Sequence, residues 1–323
     1  MAEIKHLQRS RSGLAVKLLV IGASLAVACG LVEAGLRAWI PASNVSLFRD
    51  TPSALSRVMK PNVRGVVYGV PMETNNMGFR DEEDWVTEKP PGERRIVIVG
   101  DSFTVSAGVP FARIYSERLE RRLQALGPAG NRLRVMNLAV GGYSIVRYAV
   151  MLTEVGLPLD PDAIIVGVFP YNDFTTEQPP PARGRFETWR LYRLWRVAGW
   201  SLKSLLTYRL GTKPEPEAWE ANISALKTIA ELARRAGIPV TAILLPNVVS
   251  DFSGQRMAHE PIQIACQRIG MTCVDALDDF LASGIPARRF TLNLLDGHPN
   301  ARYHEIVSAR LADALAGWAA KDL

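Results

Sequence analysis

Four branched residues in succession, Ile96, Val97, Ile98 and Val99, follow Arg94-Arg95 and run straight into Gly100-Asp101-Ser102. An uninterrupted apolar run of that length, closed by glycine, reads as a strand buried on both faces, and such strands belong to parallel sheets covered by helices. The unit repeats along the chain. Residues 133–140 lead into Gly141-Gly142, residues 163–168 into Pro170-Tyr171-Asn172-Asp173, and residues 240–245 and Cys273-Val274 form two further short apolar runs. Between them, apolar residues at helical spacing occupy 111–126, 144–155, 219–236, 261–269 and 299–320. Strand and helix in alternation predict an α/β fold, an open parallel sheet with helices on both faces.

In such a sheet ligands collect beyond the carboxyl ends of the strands, and Ser102 lies at one of those ends. Gly-Asp-Ser alone is equally the start of a helix capped by Asp or Ser, so the remaining parts of a site decide. Acyl transfer needs a nucleophile, a base, a group to orient the base, and donors for the oxyanion. Ser102 is the nucleophile candidate. Gly142 ends the second strand, where a backbone N–H can be presented with no side chain in the way, and Asn172 follows the third with an amide NH2.

The base is the scarce component, for there are four histidines. His6 is in the leader, His259 is expected in a polar loop, and His304 is inside the final helix. His298, in Asp296-Gly297-His298-Pro299-Asn300 just ahead of that helix, is the candidate. Asp296 is two residues earlier, so in an extended segment both side chains leave the same side with Cα atoms about 7 Å apart. The carboxylate then holds Nδ1–H and Nε2 faces the serine.

These residues resemble the SGNH, or GDSL, hydrolases. Gly100-Asp101-Ser102 resembles the first block of that family, Gly142 within Asn137-Leu138-Ala139-Val140-Gly141-Gly142-Tyr143 the second, Asn172-Asp173 the third and Asp296-Gly297-His298 the fifth. The resemblance covers residues 95–315. It implies a flavodoxin-like three-layer α/β/α fold with a parallel sheet, with Ser102 as nucleophile, His298 as base, and an oxyanion hole of the Ser102 and Gly142 N–H groups with the Asn172 side chain. Thr74-Asn75-Asn76-Met77-Gly78-Phe79-Arg80 and the amino terminus resemble the membrane-anchored bacterial members. Two positions depart from the pattern. The family's Asp-x-x-His is Asp-x-His here, and Ala139 stands where a glycine is common, which leaves Gly141 and Gly142 as alternatives for the residue facing substrate.

The amino terminus sets the compartment. The first seventeen residues carry a net charge of +3 and precede the uncharged run Leu18 to Val32. A basic flank before an apolar run is a signal sequence or a signal anchor with its positive end in the cytoplasm. Extended from Leu14 to Ile40 the run is long enough to span a bilayer, with Lys17, Glu33 and Arg37 near its ends; this uncleaved, transmembrane anchor is the preferred reading. Ala26-Val27-Ala28 also resembles a cleavage site and Cys29 a lipid acceptor. All three readings put Ser102 outside the cytoplasm, in the periplasm. There, Cys266 and Cys273 are either a disulfide between a helix end and the next strand or two buried thiols.

Residues 1–43 are therefore read as tail and anchor, 44–94 as an irregular lead-in with one hairpin, and 95–323 as the hydrolase-like domain with an insertion at about 175–215. Residues 183–209 carry seven basic side chains against Glu187, a net of +6. With the leader's +3, this leaves −3 for the rest of a chain whose total is +6, so the positive charge is local and does not indicate nucleic acid. On a helical wheel Arg190, Arg193 and Arg196 share a side, a basic face for anionic lipid, anionic glycan or solvent.

The function read from the sequence is an extracytoplasmic serine esterase on small acyl esters of a glycan, requiring no cofactor and no metal. An O-acyltransferase would use the same residues. A non-catalytic glycan-binding scaffold is the rival outside enzymes, and a metal-dependent phosphoesterase using Asp101, Asp173, Asp296 and His298 is a further one.

Overall fold

The computed structural model describes residues 2–39, 45–127, 132–174, 189–192, 194–195, 198–199, 215–293 and 296–321. Its centre is a five-stranded parallel sheet of β5 (Glu93–Val99), β6 (Arg132–Asn137), β7 (Ala163–Val168), β8 (Val240–Leu244) and β9 (Thr272–Asp275), in the spatial order β6-β5-β7-β8-β9. Counted from β5, that is 2-1-3-4-5, the flavodoxin-like order of doubly wound sheets, as expected.

The alternation of side chains along each strand divides the core in two. Val97, Val99, Ile164, Val166 and Leu244 face α4 (Ile145–Met151), α5 (Pro216–Ala236) and α6 (Arg256–Ile269). Ile96, Ile98, Ile165 and Ile243 face α3 (Tyr115–Gln124), α7 (Leu277–Ala282) and α8 (Ala301–Ala319). Both faces are therefore apolar and dry, which is why β5 and β7 read as continuous hydrophobic runs in the sequence. Order reverses between β5 and β7, the crevice where doubly wound folds place ligands.

Ahead of the sheet, α1 (Ala2–Trp39) includes the apolar stretch Val16–Trp39, long enough to cross a membrane. The lead-in holds two antiparallel hairpins where one was expected: β1 (Phe48–Asp50) with β2 (Arg57–Met59), and β3 (Arg64–Val67) with β4 (Val70–Glu73). It also has a core of its own. Leu47, Met59, Val67 and Met72 bury themselves with Val105 and Ala139 from the segments that follow β5 and β6, so this segment is packed onto the rim of the sheet.

Two sequence expectations change. His259 is not in a loop: it lies in α6 and is buried, because its ring is drawn under the end of β9 by Asp275. Arg190 does not present an open basic face, being 7% exposed. Arg193, Arg196 and most of 175–215 lie outside the described residues.

Candidate active site

Three of the expected residues follow three adjacent strands. After β5 the chain turns through Gly100 and Asp101 into the single helical turn α2 (Ser102–Val105). Asp101 caps that turn, its carboxylate accepting the Phe103 N–H at 2.8 Å, so the helix-start reading of Gly-Asp-Ser holds and is compatible with Ser102 standing at the strand end. The turn is tight enough that a Cβ on Gly100 would sit 2.3 Å from Thr104 Oγ1.

The opposite end of α2 is held by Arg80, from the lead-in. Its guanidinium is almost fully buried and donates to the carbonyls of Val105 (3.0 Å), Ser106 and Val109 (2.5 Å). Burial lowers the Arg80 pKa to about 10, with Glu117 and Glu82 partly opposing the shift, so it stays a cation. The Asn75-to-Arg80 stretch is thus a device for delivering this side chain. Asn75 Oδ1 accepts the N–H groups of Met77 and Phe79, closing the turn that points Arg80 inward.

His298 arrives from β11 (Asp296–Pro299), which pairs with β10 (Thr291–Asn293) just before α8. Its Nε2 lies 2.9 Å from Ser102 Oγ, and its Nδ1 lies 2.5 Å from Asp296 Oδ1. The same carboxylate oxygen accepts the His298 backbone N–H at 3.0 Å. That second bond shows how the carboxylate reaches the ring at the shorter Asp-x-His spacing. An Asp two residues upstream closes an Asx-type turn on the histidine's own N–H and meets its ring from the same oxygen. Asn300 fixes the segment from below, capping α8 and donating to the carbonyls of Arg289 and Thr291.

The Gly141-Gly142 loop abuts Ser102, with a Cβ on Gly141 placed 3.6 Å from Ser102 Cβ. Gly142 has φ +85°, a conformation side chains resist. Arg57, on β2, donates from Nη2 to the Gly141 carbonyl at 3.1 Å while its guanidinium lies 4.3 Å over the Phe48 ring. Across a trans peptide the carbonyl and the next N–H point in opposite directions, so the bond that turns the Gly141 oxygen toward Arg57 turns the Gly142 N–H away from it. Tyr143 locks the arrangement by donating its hydroxyl to the Arg57 carbonyl at 2.6 Å.

Asn172 is half-buried after β7, and its side chain bonds to the Asp101 carboxylate. Asp101 is fully buried. Its pKa is pushed up to about 6, mainly by burial, against the pull of the Phe103 N–H, the charge of His298 and the Asn172 amide. Next to Asn172, Asp173 accepts the Tyr148 hydroxyl at 2.9 Å and the Phe169 N–H at 2.7 Å. Burial and the neighbouring Asp101 raise its pKa well above the ordinary carboxylate value, against the pull of the Phe169 N–H and the Tyr148 hydroxyl. Asp101 and Asp173 thus work as buried acceptors beneath the rim.

Arg57, Phe48 and Arg80 were not among the sequence candidates. Their signal lay in a segment read as a connection, where only the Asn75-to-Arg80 resemblance stood out. Cys266 and Cys273 are free thiols in this structure. They are neighbours: their mutual hydrogen bond lowers the Cys266 pKa and raises that of Cys273.

No family model matches the chain and no curated protein matches it. Solved structures match over about 70% of its length. One is TesA, at 14% identity and TM-score 0.44, covering 69% of this chain and 98% of that one. Another is a lipase/acylhydrolase from Enterococcus faecalis, at 14% and 0.44, covering 70% and 96%. A third is Axe2, an acetylxylan esterase from Geobacillus stearothermophilus, at 13% and 0.45, covering 71% and 97%.

Proposed function

We propose that the chain is a serine esterase, anchored in the cytoplasmic membrane by residues 16–39, that removes a small acyl group such as acetyl from a glycan outside the cytoplasm. The observation that carries the reading is the line Asp296–His298–Ser102, with contacts of 2.5 and 2.9 Å, at the crevice of the sheet. In this mechanism His298 Nε2 takes the Ser102 proton as Oγ attacks the ester carbonyl. Asp296 holds Nδ1–H and stabilises the imidazolium that forms. The oxyanion is held by the N–H groups of Ser102 and Gly142 and by the Asn172 amide, whose orientation Asp101 fixes. His298 then returns its proton to the leaving hydroxyl, and water, deprotonated by the same histidine, releases the acyl group.

The half-exposed His298 ring suits this role, because an ester linked to a bulky alcohol must reach the serine from solvent. The test is hydrolysis of p-nitrophenyl acetate by residues 45–323. Activity is expected in the wild type and abolished in Ser102→Ala, and turnover that survives Ser102→Ala overturns the mechanism.

A further inference from the structure

Glu33 is a carboxylate inside the one described helix apolar enough to cross a membrane, and it is the one position of that stretch that is buried. Three donors satisfy it. Arg37 Nε lies 2.7 Å from Oε1, the backbone N–H of Arg190 donates to Oε1 at 2.9 Å, and that of Leu191 to Oε2 at 3.0 Å. Two of the three come from a segment more than 150 residues away in the chain.

The depth of that contact follows from the helix. The 24 residues of Val16–Trp39 extend about 36 Å at 1.5 Å each, against a hydrocarbon core of about 30 Å. With Lys17 at the inner headgroups, the outer boundary falls near Arg37, and Glu33 lies about one turn inside it. A charge at that depth persists only when paired, and here the pairing partners are backbone donors of residues 190 and 191. Those residues therefore share its depth. The residues around them have the matching chemistry: Trp189, Leu194 and Trp195 are exposed at 44%, 37% and 69%, and Trp39, at the outer end of the helix, at 80%. Tryptophan is the residue of the membrane interface, where an apolar ring and one N–H are both served. In sequence, Arg183 and Arg185 precede this patch and Lys203 and Arg209 follow it, a charge pattern suited to anionic headgroups.

We propose that the segment carrying Trp189, Arg190, Leu191, Leu194 and Trp195 is a second membrane contact, lying in the outer interface of the bilayer with Glu33 as its tie to the anchor. The occupant of the exposed tryptophan patch is the lipid surface itself. The catalytic domain is then held against the membrane face at two points, so its orientation is fixed relative to the bilayer. The inference rests on reading residues 16–39 as a retained anchor, a premise independent of the esterase reading.

The experiment uses the full chain in phosphatidylethanolamine–phosphatidylglycerol vesicles whose acyl chains are dibrominated, and reads the quenchable part of the tryptophan emission. Trp195→Phe is expected to lose quenchable emission, as Trp39→Phe does. Glu33→Ala is expected to reduce the Trp195 contribution, obtained by comparison with the double variant, and to speed tryptic cleavage at the basic residues of 183–209. Carbonate washing is run in parallel. A chain that washes off overturns the anchor premise, and with it the proposal. For a chain that stays, unchanged quenching in Trp195→Phe overturns the docking, and an unchanged Trp195 contribution in Glu33→Ala overturns the tie.

Discussion

Two histidine–aspartate pairs sit near the carboxyl end of this sheet, and they differ in what the far ring nitrogen meets. His298 and Asp296 are 2.5 Å apart, and the outward Nε2 lies on Ser102 Oγ with the ring 41% exposed. His259 and Asp275 are 2.9 Å apart, but the ring is 1% exposed and its Nε2 has no hydrogen-bond partner. Asp275 is otherwise occupied, accepting Gln263 Nε2 and the Leu277 N–H, which joins α6 to the start of α7. A carboxylate on Nδ1 orients an imidazole in either place. A hydroxyl at the other nitrogen and an open approach are what the proposed base requires, and His298 has both; His259 has neither, and with Asp275 it is a bolt between two helices.

The same substitution in both pairs is the sharpest way to break that contrast. Asp296→Asn is expected to lower kcat by about 10^4-fold, since the asparagine amide stabilises the wrong tautomer and offers no charge to the imidazolium. Its unfolding midpoint in urea should stay close to the wild type. Asp275→Asn is expected to do the reverse, leaving kcat within about twofold while costing about 1–3 kcal/mol of stability as its buried donors lose a charged acceptor. Equal effects of the two on kcat would erase the distinction.

A smaller effect is expected in the segment that precedes the sheet. Removing an oxyanion donor outright costs about 10^2- to 10^3-fold in kcat. In the proposed mechanism Arg57 touches no reacting atom and acts as a positioning residue, since its bond to the Gly141 carbonyl sets which way the Gly142 N–H points. Arg57→Ala should therefore cost less, about 10- to 100-fold in kcat, with KM nearly unchanged because the aim of the donor matters only once the oxyanion forms. Arg57→Lys should recover part of the loss. A raised KM at constant kcat would instead make Arg57 a substrate-binding side chain.

What the sequence disclosed divides along the same line. The central strands were legible because burial on both faces leaves uninterrupted apolar runs in them, as in Ile96 to Val99 and Ala163 to Val168. Ser102, Gly142, Asn172 and His298 were legible because each stands just past a strand or just before a helix, where order along the chain foretells position in space. The shorter Asp-x-His spacing was legible as extended backbone, though not the second bond to the His298 N–H. Arg57 and Arg80 were not legible, since each acts through backbone carbonyls more than twenty residues away and a carbonyl leaves no mark on the sequence. Nor was the distant contact of Glu33, whose two partners beyond its own helix are amide hydrogens. The roles of His259 and His304 turn on which groups surround the ring, a property of packing that no local pattern carries.

His304 takes the comparison to its limit, a histidine with no aspartate at all. It is fully buried in α8, neither ring nitrogen has a hydrogen-bond partner, and it stacks 5.8 Å from Tyr115. Burial, with the charges of Arg80 and Arg118 adding to it, lowers its pKa from 6.5 to about 3. Between those values the unfolded chain binds a proton there and the folded one does not. Stability from this group is therefore complete above pH 6.5 and falls by about 1.4 kcal/mol for each unit of acidification toward pH 3. Asp101 works in the opposite sense. Its folded pKa of about 6 lies above the ordinary 3.8, so the folded chain binds the extra proton and gains stability as pH falls through that window. The difference between wild type and His304→Phe isolates the histidine, because Asp101 is common to both. Urea unfolding at pH 7 and pH 5 should show the wild type losing more stability on acidification than His304→Phe, by about 2 kcal/mol over those two units. An equal loss in both would mean that His304 gains its proton without unfolding, and that a buried ring in this fold needs no carboxylate to carry charge.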